Sequence, residues 1–135
     1  MLTLAIIKPD AIAAGQAGKI LAHLEGQGFK IRAARLVQLT PAQAEGFYAV
    51  HRERPFFRPL IAFMTSGPAL ALALAREDAV AHLRQVIGAT DPAEAEAGTV
   101  RRLYAQSKER NAIHASDSAD TAAREVAFFF PELAP

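Results

Sequence analysis

The chain of 135 residues is 51% hydrophobic and 21% charged, a composition that suits one compact domain over residues 1–135 with its own core. Its formal net charge of +1 argues against a strongly basic surface for nucleic acid, and the absence of cysteine excludes disulfides and thiolate metal sites. The longest wholly apolar run is too short to span a membrane, and the apolar start precedes the first lysine, which reverses the order of a secretory signal. We therefore expect a cytoplasmic protein, with neither a membrane nor a nucleic acid as its partner.

The first part of the chain predicts a strand, a helix and a second strand. Residues 2–7 form an apolar run that ends at Lys-Pro-Asp (residues 8–10), which indicates a buried strand followed by a turn. Residues 18–25 place their apolar side chains on one helical face, and two glycines then end that helix. Residues 29–39 alternate between apolar and polar side chains, which is typical of a strand.

The middle of the chain predicts three more helices and one strand. Thr40 caps a helix over residues 41–50 whose first residue is proline, and another helix follows over about residues 54–64. The segment Ala69–Ala75 suits a helix by its alanine and leucine content and a buried strand by its length and apolar character. We predict a strand there, and a further helix over residues 77–87.

The last part of the chain places a histidine between an irregular segment and a helix. Residues 89–110 show little periodicity, and loops of that length are usually functional or disordered; the threonine and arginines within this one favour a function. His114 follows a short apolar run, and Asp117 or Ser118 can cap a helix over residues 120–126. A helix start favours bound anions, and an imidazole can act as nucleophile, base or metal ligand, so chemistry on a phosphate is plausible there.

Two common kinds of site are excluded, and the remaining candidates are ordinary when taken singly. Residues 15–20 resemble a phosphate loop, but only two residues separate the glycines and isoleucine replaces the hydroxyl that binds magnesium. The four histidines lie far apart in sequence, so no zinc pair is present. A lone histidine such as His114 is more often a hydrogen-bonded residue at a strand end. The other candidates are Lys8, Tyr48, Phe56, Arg84, Thr90, Arg101 and Asn111.

Several segments, taken together, match one family in its order and at its spacing. They are Ile-Ile-Lys-Pro-Asp at residues 6–10, Phe-Tyr-Ala-Val-His at 47–51, Arg-Pro-Phe-Phe at 54–57, Ser-Gly-Pro at 66–68, Gly-Ala-Thr-Asp-Pro at 88–92, Gly-Thr-Val-Arg at 98–101, and Asn-Ala-Ile-His-Ala-Ser-Asp at 111–117. On these residues the chain resembles a nucleoside diphosphate kinase from end to end.

The resemblance implies an α+β fold of the ferredoxin-like type, in which helices cover a four-stranded antiparallel sheet and a long loop contacts the substrate. It also implies that a nucleoside triphosphate, usually ATP, gives its terminal phosphate to His114. The phosphohistidine then passes the phosphate to a nucleoside diphosphate, and two transfers at one site produce ping-pong kinetics. We expect Mg²⁺ to arrive on the nucleotide phosphates, with no metal ligand from the protein.

The resemblance assigns the phosphate contacts to four residues. Lys8 and Arg101 would contact the distal phosphates, whereas Arg84 and Thr90 would contact the inner one. Tyr48 would support the lysine and the migrating phosphoryl group. These roles suit phosphoryl transfer, in which the charge on the migrating group must be neutralised and the partners held in line.

The resemblance also assigns the groups around the histidine and the nucleoside. Glu125 would pair with the far nitrogen of His114 and fix its tautomer, with Ser116 in the same network. Phe56 would stack on the base, through a face that every nucleobase possesses. Asn111, together with the lysine, would engage the sugar hydroxyl.

Two positions depart from the family's usual pattern. The residue after the histidine is usually glycine but is Ala115 here, which would be strained by roughly 1 to 2 kcal/mol if its φ were positive. We predict that activity survives this change. Residues 102–104 are Arg-Leu-Tyr where many members carry an acidic residue and phenylalanine, so loop or subunit contacts there are expected to differ.

Assembly and an alternative function complete the expectations. Members of the family form tetramers or hexamers from a shared dimer, so we expect a homo-oligomer and leave the choice between the two open. The alternative function is that of a nucleotide-binding regulatory protein without turnover. It is disfavoured because His114 and all the matched phosphate-contacting residues are present together.

Overall fold

Four antiparallel strands form a single sheet in the computed structural model. They are β1 (Leu2–Ile7), β2 (Lys30–Val37), β3 (Ala69–Ala75) and β4 (Ile113–Ala115), arranged in the order β2-β3-β1-β4. The structure describes residues 1–133, and the last two residues of the predicted domain, Ala134 and Pro135, lie outside the described residues. The strand order is that of the ferredoxin-like fold, and the predicted α+β class is confirmed.

Helices connect the strands and pack on both faces of the sheet. They are α1 (Pro9–Ala13), α2 (Ala17–Gly26), α3 (Pro41–Phe47), α4 (Phe57–Met64), α5 (Ala79–Ile87), α6 (Val100–Tyr104) and α7 (Ala119–Phe129), with 3₁₀ turns at Ala49–His51 and Pro131–Leu133. One core cluster joins a sheet face to α2 and α5, and the other joins the opposite face to α3, α4 and α7.

The strand β3 shows why the central part of the sheet is apolar throughout. Successive side chains of a strand point to opposite faces. In β3 the leucines at 72 and 74 enter the cluster with α2 and α5, whereas the alanines at 69, 71 and 73 enter the cluster with α3, α4 and α7. Because both faces are covered, neither set is polar, and the predicted strand is confirmed with its exact bounds.

Helix ends follow local sequence rules, and two expectations need correction. Thr40 caps α3 with a capping box, since its Oγ1 accepts from the N–H of Gln43 and Gln43 Oε1 accepts from the N–H of Thr40. The prediction of a turn at Lys-Pro-Asp was wrong, because Pro9 begins the short helix α1. The fixed φ of proline suits the first position of a helix. The segment 89–110 was expected to be irregular, but Thr99 caps the short helix α6 inside it.

Candidate active site

The pairing of β1 with β4 brings two distant segments together. His114 lies in the middle of β4, paired with Ile6 of β1. Lys8 follows β1 directly, and its backbone N–H donates to the carbonyl of Ala112 at 2.8 Å. The Lys8 ammonium donates to Oδ1 of Asn111 at 2.8 Å, across a separation of 103 residues in sequence. The sheet topology therefore places the first and last matched motifs side by side.

The buried residues Glu125 and Ser116 form a hydrogen-bonded network with His114. Nε2 of His114 donates to Oε1 of Glu125 at 2.8 Å, and the Ser116 hydroxyl donates to the same oxygen at 2.7 Å. Glu125 is buried because it lies on the face of α7 that also buries Ala122, Val126 and Phe129. Since the carboxylate accepts from Nε2, Nδ1 keeps its lone pair. The histidine side chain is 18% exposed, so it is accessible from one side only.

Two aromatic rings pack against the histidine. The ring centroids of Phe47 and His114 lie 5.4 Å apart, and those of Tyr48 and His114 lie 6.1 Å apart, both in edge-to-face geometry. The hydroxyl of Tyr48 is buried without a hydrogen-bond partner among residues 1–133. Burial, and secondarily the charge of Glu125, raise the pKa of Tyr48 above its usual range, so this side chain is a neutral hydroxyl. The contact from Phe47 was not predicted from the sequence.

Two arginines approach the carbonyls on either side of the histidine. Arg101 donates through Nη2 to the carbonyl of Ile113 at 2.7 Å and through Nη1 to that of Gly88 at 3.1 Å. Arg84 donates to the carbonyl of Ala115 at 3.4 Å. In the part of the chain that the structure describes, Nε of Arg101 is buried without a partner. Arg101 therefore keeps one hydrogen-bond donor that no acceptor within residues 1–133 pairs with.

Lys8 and Arg101 are buried cations, and each is repelled by a neighbouring arginine. Burial, and then the charge of Arg101, lower the pKa of Lys8 to about 8, although Asp10 acts in the opposite direction. Burial and the charge of Arg84 lower the pKa of Arg101 to about 10. Desolvated like charges of this kind are favoured when an anion lies between them. The electrostatics thus suit a polyanionic ligand.

The remaining predicted residues are the buried Asn111 and the exposed Thr90 and Phe56. Asn111 donates through Nδ2 to the carbonyl of Thr90 at 3.2 Å, and the side chain of Thr90 is exposed. Phe56 is 48% exposed, and its ring contacts His51, which in turn stacks on Tyr48. Ring contacts through His51 and Tyr48 therefore connect Phe56 to His114.

A strained turn leads into β4, and sequence reasoning missed it. Ala112 has a φ of 74°, and the N–H of Ile113 donates to the carbonyl of Asn111 at 2.9 Å, which defines a γ-turn with the rare positive φ. Asp10 accepts from the N–H of Ala112 at 3.1 Å. The sequence signal for this turn was the aspartate of the Lys-Pro-Asp segment at residues 8–10. Ala115, by contrast, is not among the residues with positive φ, so the strain considered for it does not arise.

A cluster of metal-binding side chains and a membrane-spanning helix are both absent from residues 1–133. Within this range no group of three or more His, Asp or Glu side chains is arranged to hold a metal ion. No helix within the same range has the length and apolar character needed to cross a membrane.

Comparison with known proteins identifies the family. The family model described as nucleoside diphosphate kinase matches residues 2–134. The chain belongs to the nucleoside diphosphate kinase family. The nucleoside diphosphate kinase of Sorangium cellulosum is 56% identical over 135 residues, which cover 98% of this chain and 94% of that relative. That of Nitrosospira multiformis is 55% identical over 131 residues, with 97% and 93% covered.

Solved structures of nucleoside diphosphate kinases have the same fold. The enzyme of Aquifex aeolicus superposes with a TM-score of 0.96 at 46% identity, covering 98% of this chain and 96% of that one. The enzyme of Halobacterium salinarum, solved in complex with CDP, superposes with a TM-score of 0.92 at 37% identity, covering 96% and 87%. The family and the fold predicted from the sequence are confirmed.

Proposed function

We propose that the chain carries the terminal phosphate of a nucleoside triphosphate, usually ATP, to a nucleoside diphosphate through a phosphohistidine at His114. Nucleoside diphosphate kinase activity itself follows from membership of the family. The observation that supports the route is the contact of 2.8 Å between Nε2 of His114 and Oε1 of Glu125. Because this contact occupies Nε2, Nδ1 is the nitrogen available for attack.

Each of the two transfers forms one bond and breaks one. In the first, the Nδ1 lone pair of His114 attacks the terminal phosphorus, and the bond to the bridging oxygen breaks with its electron pair on the departing diphosphate. In the second, a terminal oxygen of another nucleoside diphosphate attacks the same phosphorus, and the bond between nitrogen and phosphorus breaks. The Glu125 carboxylate stabilises the positive charge that the ring carries between the two steps.

The cations of the site would neutralise the phosphates. Lys8 and Arg101 are proposed to contact the distal phosphates, and Arg84 and Thr90 the inner one. Support comes from the burial of Lys8 and Arg101, which are 9% and 5% exposed, and from the partnerless Nε of Arg101. Buried donors fixed in advance stabilise developing charge without reorganising during the transfer. Tyr48 would contribute a neutral hydroxyl beside the histidine.

Base and sugar would bind through Phe56 and Asn111. Phe56 is proposed as the stacking surface for the base, since nearly half of its area is exposed and His51 supports its ring. Asn111, held by the Lys8 ammonium, would reach the sugar hydroxyl. The complex of the Halobacterium salinarum enzyme with CDP supports nucleotides as the ligands.

Mg²⁺ is the proposed cofactor, carried by the nucleotide. The residues fit this arrangement because the groups that face the phosphates are donors, whereas the Glu125 carboxylate is already engaged by His114 and Ser116. Mg²⁺ sheds water reluctantly and is commonly held by substrate phosphates. When bound there, it supplies charge neutralisation between the phosphates.

The proposed assembly is a homo-oligomer built from dimers, either a tetramer or a hexamer. Strand β2 lies at an edge of the sheet, and Leu36 on it is 64% exposed. An unpaired edge with an exposed apolar side chain favours pairing with another copy. Light scattering should give a mass well above 14.5 kDa for the wild type and a smaller assembly for Leu36→Lys. A wild type that is monomeric at all concentrations would contradict the proposal.

We also propose a single domain over residues 1–135 and a cytoplasmic location. The match of the family model to residues 2–134 supports the first, and family membership supports the second. Cell fractionation followed by immunoblotting tests the location, and limited proteolysis tests for a single resistant core.

Labelling the protein with γ-labelled ATP tests the proposed route. The wild type, His114→Asn and the control His82→Asn would each be incubated with labelled ATP and magnesium, then chased with GDP. We expect acid-labile, base-stable label on the wild type and on His82→Asn, with transfer of that label to GDP to give labelled GTP, and no label on His114→Asn. A folded wild type that binds ATP but acquires no label would favour the regulatory alternative instead.

A further inference from the structure

Asp10 is a buried carboxylate that no step of the proposed reaction uses. It lies in the first turn of α1 and is 7% exposed. Its Oδ2 accepts from the N–H of Ala112 at 3.1 Å. Its Oδ1 is buried and has no hydrogen-bond partner within residues 1–133. Burying a partly paired carboxylate is unfavourable, so the position calls for a compensating role.

The partner of Asp10 is the most strained residue near the histidine. Ala112, with a φ of 74°, is the centre of the γ-turn closed by the hydrogen bond from Ile113 to Asn111. A non-glycine residue in this conformation persists only where its surroundings hold it. Both backbone groups of Ala112 are held: its N–H donates to Asp10, and its carbonyl accepts from the N–H of Lys8 at 2.8 Å.

The same turn fixes two groups that face the nucleotide. Asn111 precedes Ala112, and its Oδ1 accepts a hydrogen bond from the Lys8 ammonium. The charged groups that act on Lys8 are Arg101, which disfavours its ammonium form, and Asp10, which favours it. Asp10 therefore acts on the Lys8–Asn111 pair in two ways, through the backbone of the turn and through its charge.

We propose that Asp10 is a positioning residue for phosphoryl transfer, which holds the strained turn at Ala112 and keeps Asn111 and the Lys8 ammonium in the geometry that receives the nucleotide. The inference rests on the proposed function, in which Lys8 and Asn111 contact the nucleotide. It adds a residue whose hydrogen bond goes to the turn and not to the histidine. A displacement of about 1 Å at a contact group can reduce the rate about 100-fold, so a distant support of this kind is measurable.

Three variants separate the two actions of Asp10. Asp10→Asn keeps an oxygen for the N–H of Ala112 but removes the charge. Asp10→Ala removes both, and Asp10→Ala combined with Ala112→Gly restores a backbone that adopts positive φ without strain. Asp78→Asn is the matched control, since Asp78 is exposed and asparagine tolerates its φ of 52°. Circular dichroism would establish that each variant is folded.

The decisive measurement is kcat/KM as a function of pH, because its basic limb reports a group of the free enzyme. In Asp10→Asn the limb should move to lower pH, since the charge that favours the Lys8 ammonium is gone. Asp10→Ala should lower kcat/KM about tenfold or more at neutral pH, and the loss should be smaller in the Ala112→Gly background. A merely structural carboxylate would lower stability without moving the limb.

The outcomes distinguish this inference from the proposed function. Two results would overturn the role of Asp10. One is a basic limb in Asp10→Asn that coincides with that of the wild type. The other is a loss of kcat/KM in Asp10→Ala that is equally large when Ala112→Gly is added. In either case label on His114 of the wild type still supports the proposed function. A wild type without label overturns the proposed function, and this inference falls with it.

Discussion

Nε2 of His114 lies 2.8 Å from Oε1 of Glu125, although the glutamate is on α7 and 11 residues further along the chain. A carboxylate in this position fixes the tautomer and stabilises the charged ring. Glu125→Gln keeps the shape but removes the charge, so phosphorylation of the histidine should slow about 10- to 100-fold, by analogy with the loss of a carboxylate partner from a metal-bound histidine. Rapid-quench measurement of labelling by ATP checks this rate.

The control for that variant is Glu96→Gln, in which an exposed glutamate is changed in the same way. Its labelling rate should equal that of the wild type. An unaltered rate in Glu125→Gln would show that the hydrogen bond orients the ring without contributing charge.

Arg101 and Arg102 form a natural pair for testing the phosphate contacts. Arg101 is buried and reaches the carbonyl of Ile113, whereas Arg102 is exposed and donates to the carbonyl of Ala93. Arg101→Ala should reduce kcat about 10²- to 10³-fold, by analogy with removing one preorganised donor to developing charge. Arg102→Ala should stay close to the wild type. A loss below tenfold in Arg101→Ala would mean that this arginine has another role.

The buried ammonium of Lys8 should make stability depend on pH. Its pKa is about 8 in the folded chain against a usual value of 10.5, so between these values the unfolded chain binds more protons. Stability therefore rises as the pH increases through that window. The free energy of unfolding of the wild type should increase relative to Lys8→Met between pH 8 and pH 10.5, as measured by urea denaturation. If the difference in unfolding free energy between the wild type and Lys8→Met did not change with pH, the Lys8 ammonium would be more hydrated than its burial indicates.

Two alanines on either side of the histidine should respond oppositely to glycine. Ala112 has a φ of 74° and is strained, so Ala112→Gly should stabilise the chain by about 1 kcal/mol. Ala115 lies in β4, paired with Ala5, and is not among the residues with positive φ. Ala115→Gly should therefore destabilise the chain by about 0.5 to 1 kcal/mol, without a gain in activity. Chemical denaturation of both variants gives the comparison, and equal changes of the same sign would contradict it.

Much of the fold could be predicted because its elements are encoded locally. The length and apolar character of Ala69–Ala75 already favour a buried strand, and Thr40 followed by Pro41 already indicates a helix start. The short helices α1 and α6 were missed because five residues provide too little periodicity to recognise. The aligned motifs carried the identity of the candidate residues, since their order and spacing match a family.

Contacts within the site could not be derived from local sequence patterns, because they join residues that are distant in sequence. The pairing of Glu125 with His114 was expected from the family resemblance alone. Pairing of β1 with β4 brings Lys8 to Asn111, and packing of α7 on the sheet brings Glu125 to the histidine. No pattern among neighbouring residues indicates which distant residues will come into contact. The opposite charge effects of Arg101 and Asp10 on Lys8 likewise depend on burial and proximity.

Motifs, periodicity and helix caps are properties of neighbouring residues, so the amino-acid sequence was enough to indicate the family, the class of the fold and the residue types of the candidate site. The tertiary structure alone showed that Glu125 lies 2.8 Å from Nε2 of His114, that Ala112 rather than Ala115 has a positive φ, and that Asp10 accepts from the N–H of Ala112. These features arise from long-range hydrogen bonds and from the exclusion of water, which exist only once the sheet and its helices have packed together.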